Sequence, residues 1–257
     1  MVVLCNKVLL NTGQKILKIS RELKKYSITE QKCALLLLKV NGAMNLKTNK
    51  KFIYLLSPSN IKNNKFFVDL VEVLSTNKIS FFQLRLKGES YKKSLHIAKK
   101  AKRICKKFNV KFIINDNPYF AKQIGADGCH LGQKDMSLKK ARKILKKKII
   151  GVSCHNSIKL VKKATKDGAD YLALGSFFKS KTKQNAIRSK IQIINKSKKV
   201  SKLPIVCIGG INDKNYKKLI LHKPNFLAIS SYIWNNSKLK PKEAAKKIDL
   251  LKLMLTK

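Results

Sequence analysis

Two aspartates in an acid-poor chain pose the first chemical question. Asp116 closes the run "KFIIND" beside Asn115, and Asp135 follows "DGCHLG" with Gln133 two residues before it. The chain has 13 acidic residues against 58 basic ones, so two acids at the ends of successive strand-like runs point to a cation held between them. Carboxylates with neighbouring amides suit a hard divalent ion such as Mg2+, which takes oxygen ligands and keeps part of its water. Arg85 and Lys87 in "QLRLK" and Lys183 in "KSKTK" bring fixed cations to equivalent positions after other runs. Two acids, a divalent ion and three cations describe a polyanion site, most simply a metal-bound diphosphate. Gly209-Gly210 and Ser230-Ser231, after two later runs, imply a second anion site in which backbone N–H groups meet a phosphate.

Positions of this kind must be delivered by a scaffold. From residue 52 onward, short runs rich in β-branched and aromatic residues alternate with lysine-rich helical stretches. The runs are 52–57, 79–85, 111–116, 127–132, 149–155, 170–177, 203–210 and 226–232. Most are continuously apolar, as expected of parallel strands buried on both faces. Helices are predicted over 90–108, over 137–146 with Ser137 as N-cap, and over 156–168 with Asn156 opening it and Gly168 just past its end. A further helix is predicted to open at "IND" (211–213), directly after the Gly-Gly pair. "GADG" (125–128) and "GADY" (168–171) form a weak internal repeat in which glycine ends a helix and aspartate lies in the turn below the next strand.

Eight βα units in about 205 residues predict an α/β fold, the TIM (β/α)8 barrel, in which chemistry sits at the C-terminal ends of the strands. A doubly wound open sheet is the runner-up, but "LLSPSN" after the first run is not its glycine-rich phosphate loop. The barrel is assigned to residues 51–257. Residues 1–50 form an N-terminal extension with one helical candidate at roughly 14–38, read as a helical cap or as an over-long start, the natural beginning being near Met44. No catalytic role is expected for it.

Some chemistry-bearing residues are expected to be structural. Asp127 and Asp170 lie at strand starts, the wrong end for catalysis. His130 is expected to be packed and hydrogen-bonded within its strand, and Tyr171 to pack rather than react; His155 is open between a structural and a functional role.

Composition excludes several classes. Hydrophobic content is 44%, enough for a core, and no run approaches the ~18–20 residues of a membrane helix. The formal charge of +45 comes almost wholly from lysine, with five arginines. Nucleic-acid readers favour arginine for its fork, so the lysines are read as solvated helix faces. The six cysteines form no C-x-x-C pair and are expected to be reduced, buried thiols of a cytoplasmic protein.

The strand-end residues, in order, resemble the thiamine phosphate synthase family over about residues 52–250. The motifs are "QLRLK" (83–87), Asn115-Asp116, "ADGCHLGQKD" (126–135), "GVSCHN" (151–156), "GSFFKSKTK" (175–183) and "CIGGI" (207–211). That resemblance implies small-molecule substrates: a hydroxymethylpyrimidine diphosphate is joined to a thiazole phosphate and diphosphate leaves. It implies Mg2+ on Asp116 and Asp135. Gln83, Arg85, Lys87, Asn115, Ser153 and Lys183 would bind the pyrimidine diphosphate, with Arg85, Lys87, Ser153 and Lys183 catalytic. Ser180, Thr182, Gly210, Ser230 and Ser231 would bind the thiazole phosphate. Leu86, Lys179, Ser180 and the short loop after Lys183 depart from the family pattern and bear on lid closure and substrate preference. Two alternatives stand beside this: a thiazole tautomerase-like barrel, which has no diphosphate to bind, and a basic nucleic-acid-binding protein, which would not sort acids and cations to one barrel face.

Overall fold

The computed structural model describes residues 51–86, 88–179 and 188–249. Eight parallel strands close into a barrel in chain order. They are β1 (Ile53–Leu56), β2 (Ile79–Leu84), β3 (Lys111–Asn115), β4 (Gly128–Leu131), β5 (Ile149–His155), β6 (Tyr171–Leu174), β7 (Ile205–Ile208) and β8 (Phe226–Ile229). Ile53 of β1 pairs with Ile79 of β2 on one side and Leu227 of β8 on the other. Each predicted run holds one strand.

The helices among the described residues form the outer layer. They are α1 (Lys65–Leu74), α2 (Tyr91–Lys107), α3 (Pro118–Ile124), α4 (Leu138–Leu145), α5 (Ile158–Lys166), α6 (Ile193–Val200), α7 (Tyr216–Ile220), α8 (Ser231–Trp234) and α9 (Pro241–Lys247). Their starts are chemically marked. Ser90 caps α2 by accepting from the Lys93 N–H, and Asn117 caps α3 by accepting from Phe120 N–H. Two predicted starts shift. α5 is capped by Ser157, which accepts from the Leu160 N–H, not by Asn156. Ser137 stands at the N-cap of α4 without a side-chain cap bond. α7 begins at Tyr216, not at "IND", because the Asn212 side chain accepts from the Lys214 and Asn215 N–H groups and closes a turn first. Gly168, at φ +88°, ends the α5 connection as expected.

Side chains alternate across each strand, so the barrel has two cores. Outward residues such as Phe82, Leu84, Phe112, Ile114 and Cys129 join the layer under the helices. Inward residues Tyr54, Leu56, Ile113, Tyr171, Ala173, Val206 and Ala228, with Phe81, Ile149, Ile208 and Phe226 against them, plug the barrel interior. Tyr54 stacks on Phe81 at 5.2 Å, and Phe81 meets Phe226 edge-on at 5.1 Å.

The lower rim is tied by one repeated device. Asp127, before β4, accepts from Phe112 N–H and donates its own N–H to Phe112 C=O. Asp170, before β6, does the same with Ile150, and Asn225, before β8, with Ile205. Each pair satisfies a strand-start N–H at the barrel edge. Asp170 also pairs with Arg142, 2.6 Å away, whose guanidinium donates to the Lys146, Lys148 and Gly168 carbonyls. Asp127 and Asp170 are thus structural, as their position implied.

Candidate active site

The same alternation that plugs the lower barrel with apolar groups turns polar at the upper end. Two residues beyond inward Phe81 stands Gln83, and two beyond Ile113 stands Asn115. Across the mouth, His130 of β4 and Ser153 of β5 occupy the matching level. These residues line a single cavity of about 1420 Å3 together with Arg85, Asp116, Asp135, Gly210, Ser230 and Ser231. That volume exceeds the ~300–1,000 Å3 of an ordinary small-ligand pocket, which leaves room for two reactants. Lys87, Ser180, Thr182 and Lys183 lie outside the described residues.

The β2–β5 wall is built from side chains. Gln83 is buried, and its amide N–H donates to Asn115 Oδ1 at 2.5 Å. Arg85 is held by its backbone: its N–H donates to Ser57 Oγ at 2.9 Å, and its guanidinium reaches Ser59 Oγ at 3.3 Å. Asp116 has a left-handed backbone, φ +64°, and its N–H donates to the His130 carbonyl at 2.7 Å. That bond continues the β3–β4 ladder one residue past the strand while turning the carboxylate off the sheet direction. Asp135 Oδ2 accepts from Gly132 N–H at 2.6 Å, which closes the loop after β4. Gln133 donates to the Ser153 carbonyl and ties that loop to β5.

Asp116 and Asp135 line the same cavity. Burial pushes the Cys129 thiol up to about 12, and both carboxylates add to that rise. The donor set therefore offers two carboxylates from successive loops at one cavity edge. No cluster of three or more His, Cys, Asp or Glu side chains forms among the described residues. Two carboxylates completed by water and substrate oxygens are the donor set that Mg2+ takes, and the residues fit it.

The β7–β8 wall is built from backbone. Gly209 and Gly210 have φ of +106° and +63°. A Cβ on Gly210 would lie 2.3 Å from the Lys179 carbonyl oxygen, because the segment that leaves β6, residues 175–179, packs directly on this turn. Phe178 N–H donates to the Gly209 carbonyl, and Asn215 donates to the Gly210 carbonyl at 2.9 Å. Ser230 Oγ donates to the Ser57 carbonyl at 3.1 Å, linking β8 to β1.

His130 is packed and hydrogen-bonded, as expected, but its place was not foreseen. Its Nδ1 is 2.9 Å from Tyr171 Oη and its Nε2 is 2.9 Å from Ser153 Oγ. His155, with φ +50°, lines the cavity. Ser57, Ser59, Tyr54, Tyr171 and Ser176 also line it and were not singled out as site residues. Ser57 and Ser59 follow β1, the strand end left without an assigned ligand, and the barrel rule could have found them. Tyr54 and Tyr171 carry no such signal, since they sit inside apolar runs.

Comparison with known proteins gives the family of the chain. A family model described as thiamine monophosphate synthase matches residues 53–233. A thiamine-phosphate synthase from Pelagibacter ubique is 61% identical over 202 residues, covering 79% of this chain and 98% of that protein. One from Erythrobacter litoralis is 37% identical over 188 residues, covering 71% of this chain and 88% of that protein. Among solved structures, a thiamine phosphate pyrophosphorylase from Pyrococcus furiosus superposes with a TM-score of 0.70 at 26% identity, covering 80% of this chain and 96% of that one.

Proposed function

The chain belongs to the thiamine monophosphate synthase family, and from that premise we propose how its barrel mouth divides the work of making thiamine phosphate. The activity is that of a transferase acting on small molecules: a hydroxymethylpyrimidine diphosphate and a thiazole phosphate become thiamine phosphate and diphosphate. The observation that carries the site assignment is the gathering of Gln83, Arg85, Asn115, Asp116, Asp135 and Ser153, from four neighbouring strands and their loops, around one cavity with Gly210, Ser230 and Ser231 opposite.

The β2–β5 wall takes the pyrimidine diphosphate. The Gln83–Asn115 amide pair retains N–H donors and a carbonyl acceptor for a flat heterocycle bearing an amino group. Arg85, fixed by Ser57 and Ser59, presents its guanidinium to the diphosphate. Lys87 and Lys183 are assigned the same anion from their sequence positions. Asp116 and Asp135 would hold the metal on which the family depends, assigned here as Mg2+, which when bound would offset charge on the departing diphosphate. The β7–β8 wall takes the thiazole phosphate on the N–H groups of the Gly209-Gly210 turn and on Ser230 and Ser231, with Ser180 and Thr182 assigned to it from sequence.

No strong base is needed. An electron-rich aminopyrimidine supports positive charge on its methylene carbon as the C–O bond to diphosphate breaks, and the thiazole nitrogen forms the new C–N bond. The protein's part is to fix both reactants on opposite walls and to place cations where negative charge grows. The catalytic set is Arg85, Lys87, Ser153 and Lys183. The decisive experiment incubates the purified protein with both substrates and Mg2+. Thiamine phosphate is expected, and its formation should stop in excess EDTA; turnover that survives the chelator removes the metal assignment.

Residues 1–50 are assigned no part in this chemistry. The Pelagibacter ubique relative aligns over 98% of its own length within 79% of this chain, so it does without an extension of this size. A chain beginning at Met44 is expected to fold and to turn over at the full-length rate, which a direct kinetic comparison checks. No helix among the described residues is long and apolar enough to cross a membrane. The four described cysteines are buried and unbridged, which supports assignment to the reducing cytoplasm.

A further inference from the structure

A file of polar groups runs through the plug of the barrel and ends at the reaction cavity, and the file has a direction. Tyr54 and Tyr171 are buried, at 1% and 3% exposure, with their hydroxyl oxygens 2.7 Å apart. Tyr171 Oη is 2.9 Å from His130 Nδ1, and His130 Nε2 is 2.9 Å from Ser153 Oγ. The imidazole lies nearly parallel to the Tyr171 ring, 20° between planes and 5.6 Å between centroids. Gly151 makes this possible, since a Cβ there would stand 1.8 Å from the Tyr171 ring.

Hydroxyls and a neutral imidazole each both donate and accept, so such a file can order its protons in two senses. Burial raises the titration of both phenols well above their ordinary range, so both keep their protons. Tyr54 is the inner end. Among the described residues, the acceptor the structure gives its O–H is Tyr171 Oη. In the opposite sense that O–H, at the floor of the cavity on a side chain only 1% exposed, would have no acceptor among the described residues, an arrangement folded proteins avoid. The remaining links then follow. Tyr171 accepts from Tyr54 and spends its one proton on His130 Nδ1. His130 carries its proton on Nε2 and donates to Ser153 Oγ. The Ser153 O–H is left pointing away from the file.

We propose that Tyr171, backed by Tyr54, is a positioning residue that fixes His130 as the Nε2–H tautomer and so presents the Ser153 hydroxyl to the cavity as a hydrogen-bond donor. Its partner is an acceptor atom of the bound pyrimidine diphosphate, an oxygen or a ring nitrogen. The kinetic part rests on the assignment of Ser153 to that substrate; the tautomer part does not.

Nitrogen-15 imidazole spectra of the labelled protein read the tautomer without substrate, with His130→Asn identifying which of the four histidines is observed. The wild type is expected to show a protonated Nε2 and an unprotonated Nδ1 at His130, and Tyr171→Phe, which keeps the ring over Gly151, to lose that preference. A protonated Nδ1 in the wild type overturns the proposal. In turnover, Tyr171→Phe is expected to lower kcat by about fivefold, the worth of one neutral hydrogen bond, with the thiazole phosphate KM unchanged. Ser153→Ala is expected to lower it at least as far, and the double variant no further than Ser153→Ala. Additive losses would mean that Tyr171 acts independently of Ser153 and would overturn the positioning role. Were the wild type inactive with these substrates, the family-based reading would fail while the tautomer measurement still decided the file.

Discussion

At the lower rim of the barrel, Asp127 and Asp170 sit just before β4 and β6; at the upper rim, Asp116 and Asp135 sit just after β3 and β4. All four are aspartates in tight turns of one sheet, and three precede or follow the same pair of strands. At the bottom each carboxylate is used up by the fold. Asp127 takes the Phe112 N–H, and Asp170 takes the Ile150 N–H and the Arg142 guanidinium. At the top, the main-chain N–H of Asp116 donates to the His130 carbonyl, and the residue lines the cavity. Asp135 gives one oxygen to Gly132 N–H and also lines the cavity. The difference is where the strand-edge hydrogen bonds end. Parallel strands leave unmatched N–H groups at the N-terminal rim, which side-chain acceptors must satisfy. At the C-terminal rim the loops turn away and leave side chains facing the mouth.

This contrast predicts activity effects at the upper rim and stability effects at the lower one. The largest expected effect is at the two aspartates proposed to hold the metal. Asp116→Asn or Asp135→Asn should lower kcat by roughly a hundredfold or more, the scale of losing a principal electrostatic stabiliser, with thermal unfolding unchanged. A Tm drop comparable to that of a lower-rim variant would erase the distinction between rims. Next is Lys183→Ala, which removes a full charge that the proposal assigns to the diphosphate and should cost ~2–4 kcal/mol in the transition state. Because charge on the departing diphosphate grows as its bond breaks, kcat should fall rather than the thiazole KM rise; the reverse pattern in steady-state kinetics would assign the two anion sites the wrong way round.

At the lower rim, Asp170→Ala leaves the buried Ile150 N–H without its side-chain acceptor. That should cost ~2 kcal/mol of stability, or a Tm lower by roughly 4–8 °C for a domain of this size, with both KM values unchanged. The smallest effect sharpens the contrast between walls. Ser231→Ala removes one neutral contact to a phosphate that does not react, and should cost ~1 kcal/mol, seen as a raised thiazole phosphate KM.

Much of this molecule is legible along the chain. The eight apolar runs are the eight strands because a strand buried on both faces must be apolar at nearly every position. The Gly-Ala-Asp repeat marked the lower-rim clamp twice, though not its third copy at Asn225, where asparagine supplies the same acceptor without the motif. The chemistry of the upper rim was legible because polar residues at strand ends stand out against such runs. Helix starts were less so: Asn156 and Ser157 are both good caps, and only the path of the chain chooses between them. "IND" looked like a helix start because its asparagine closes a hydrogen-bonded turn of the same kind a cap makes.

The sequence by itself determined the order of strands, the polar residues that end them and the sign of the charges they bring, because these follow from side-chain type and period. Tertiary structure decided which residues meet across the barrel. Tyr54, His130, Ser153 and Tyr171 come from β1, β4, β5 and β6, and nothing in their spacing brings them together. Closure of the sheet does so, since inward residues at one level become neighbours whatever their separation in the chain. Gly151 then leaves space for the Tyr171 ring. The resulting file of hydrogen bonds follows from packing in a closed barrel, where a buried hydroxyl must find a partner and the available one lies on another strand.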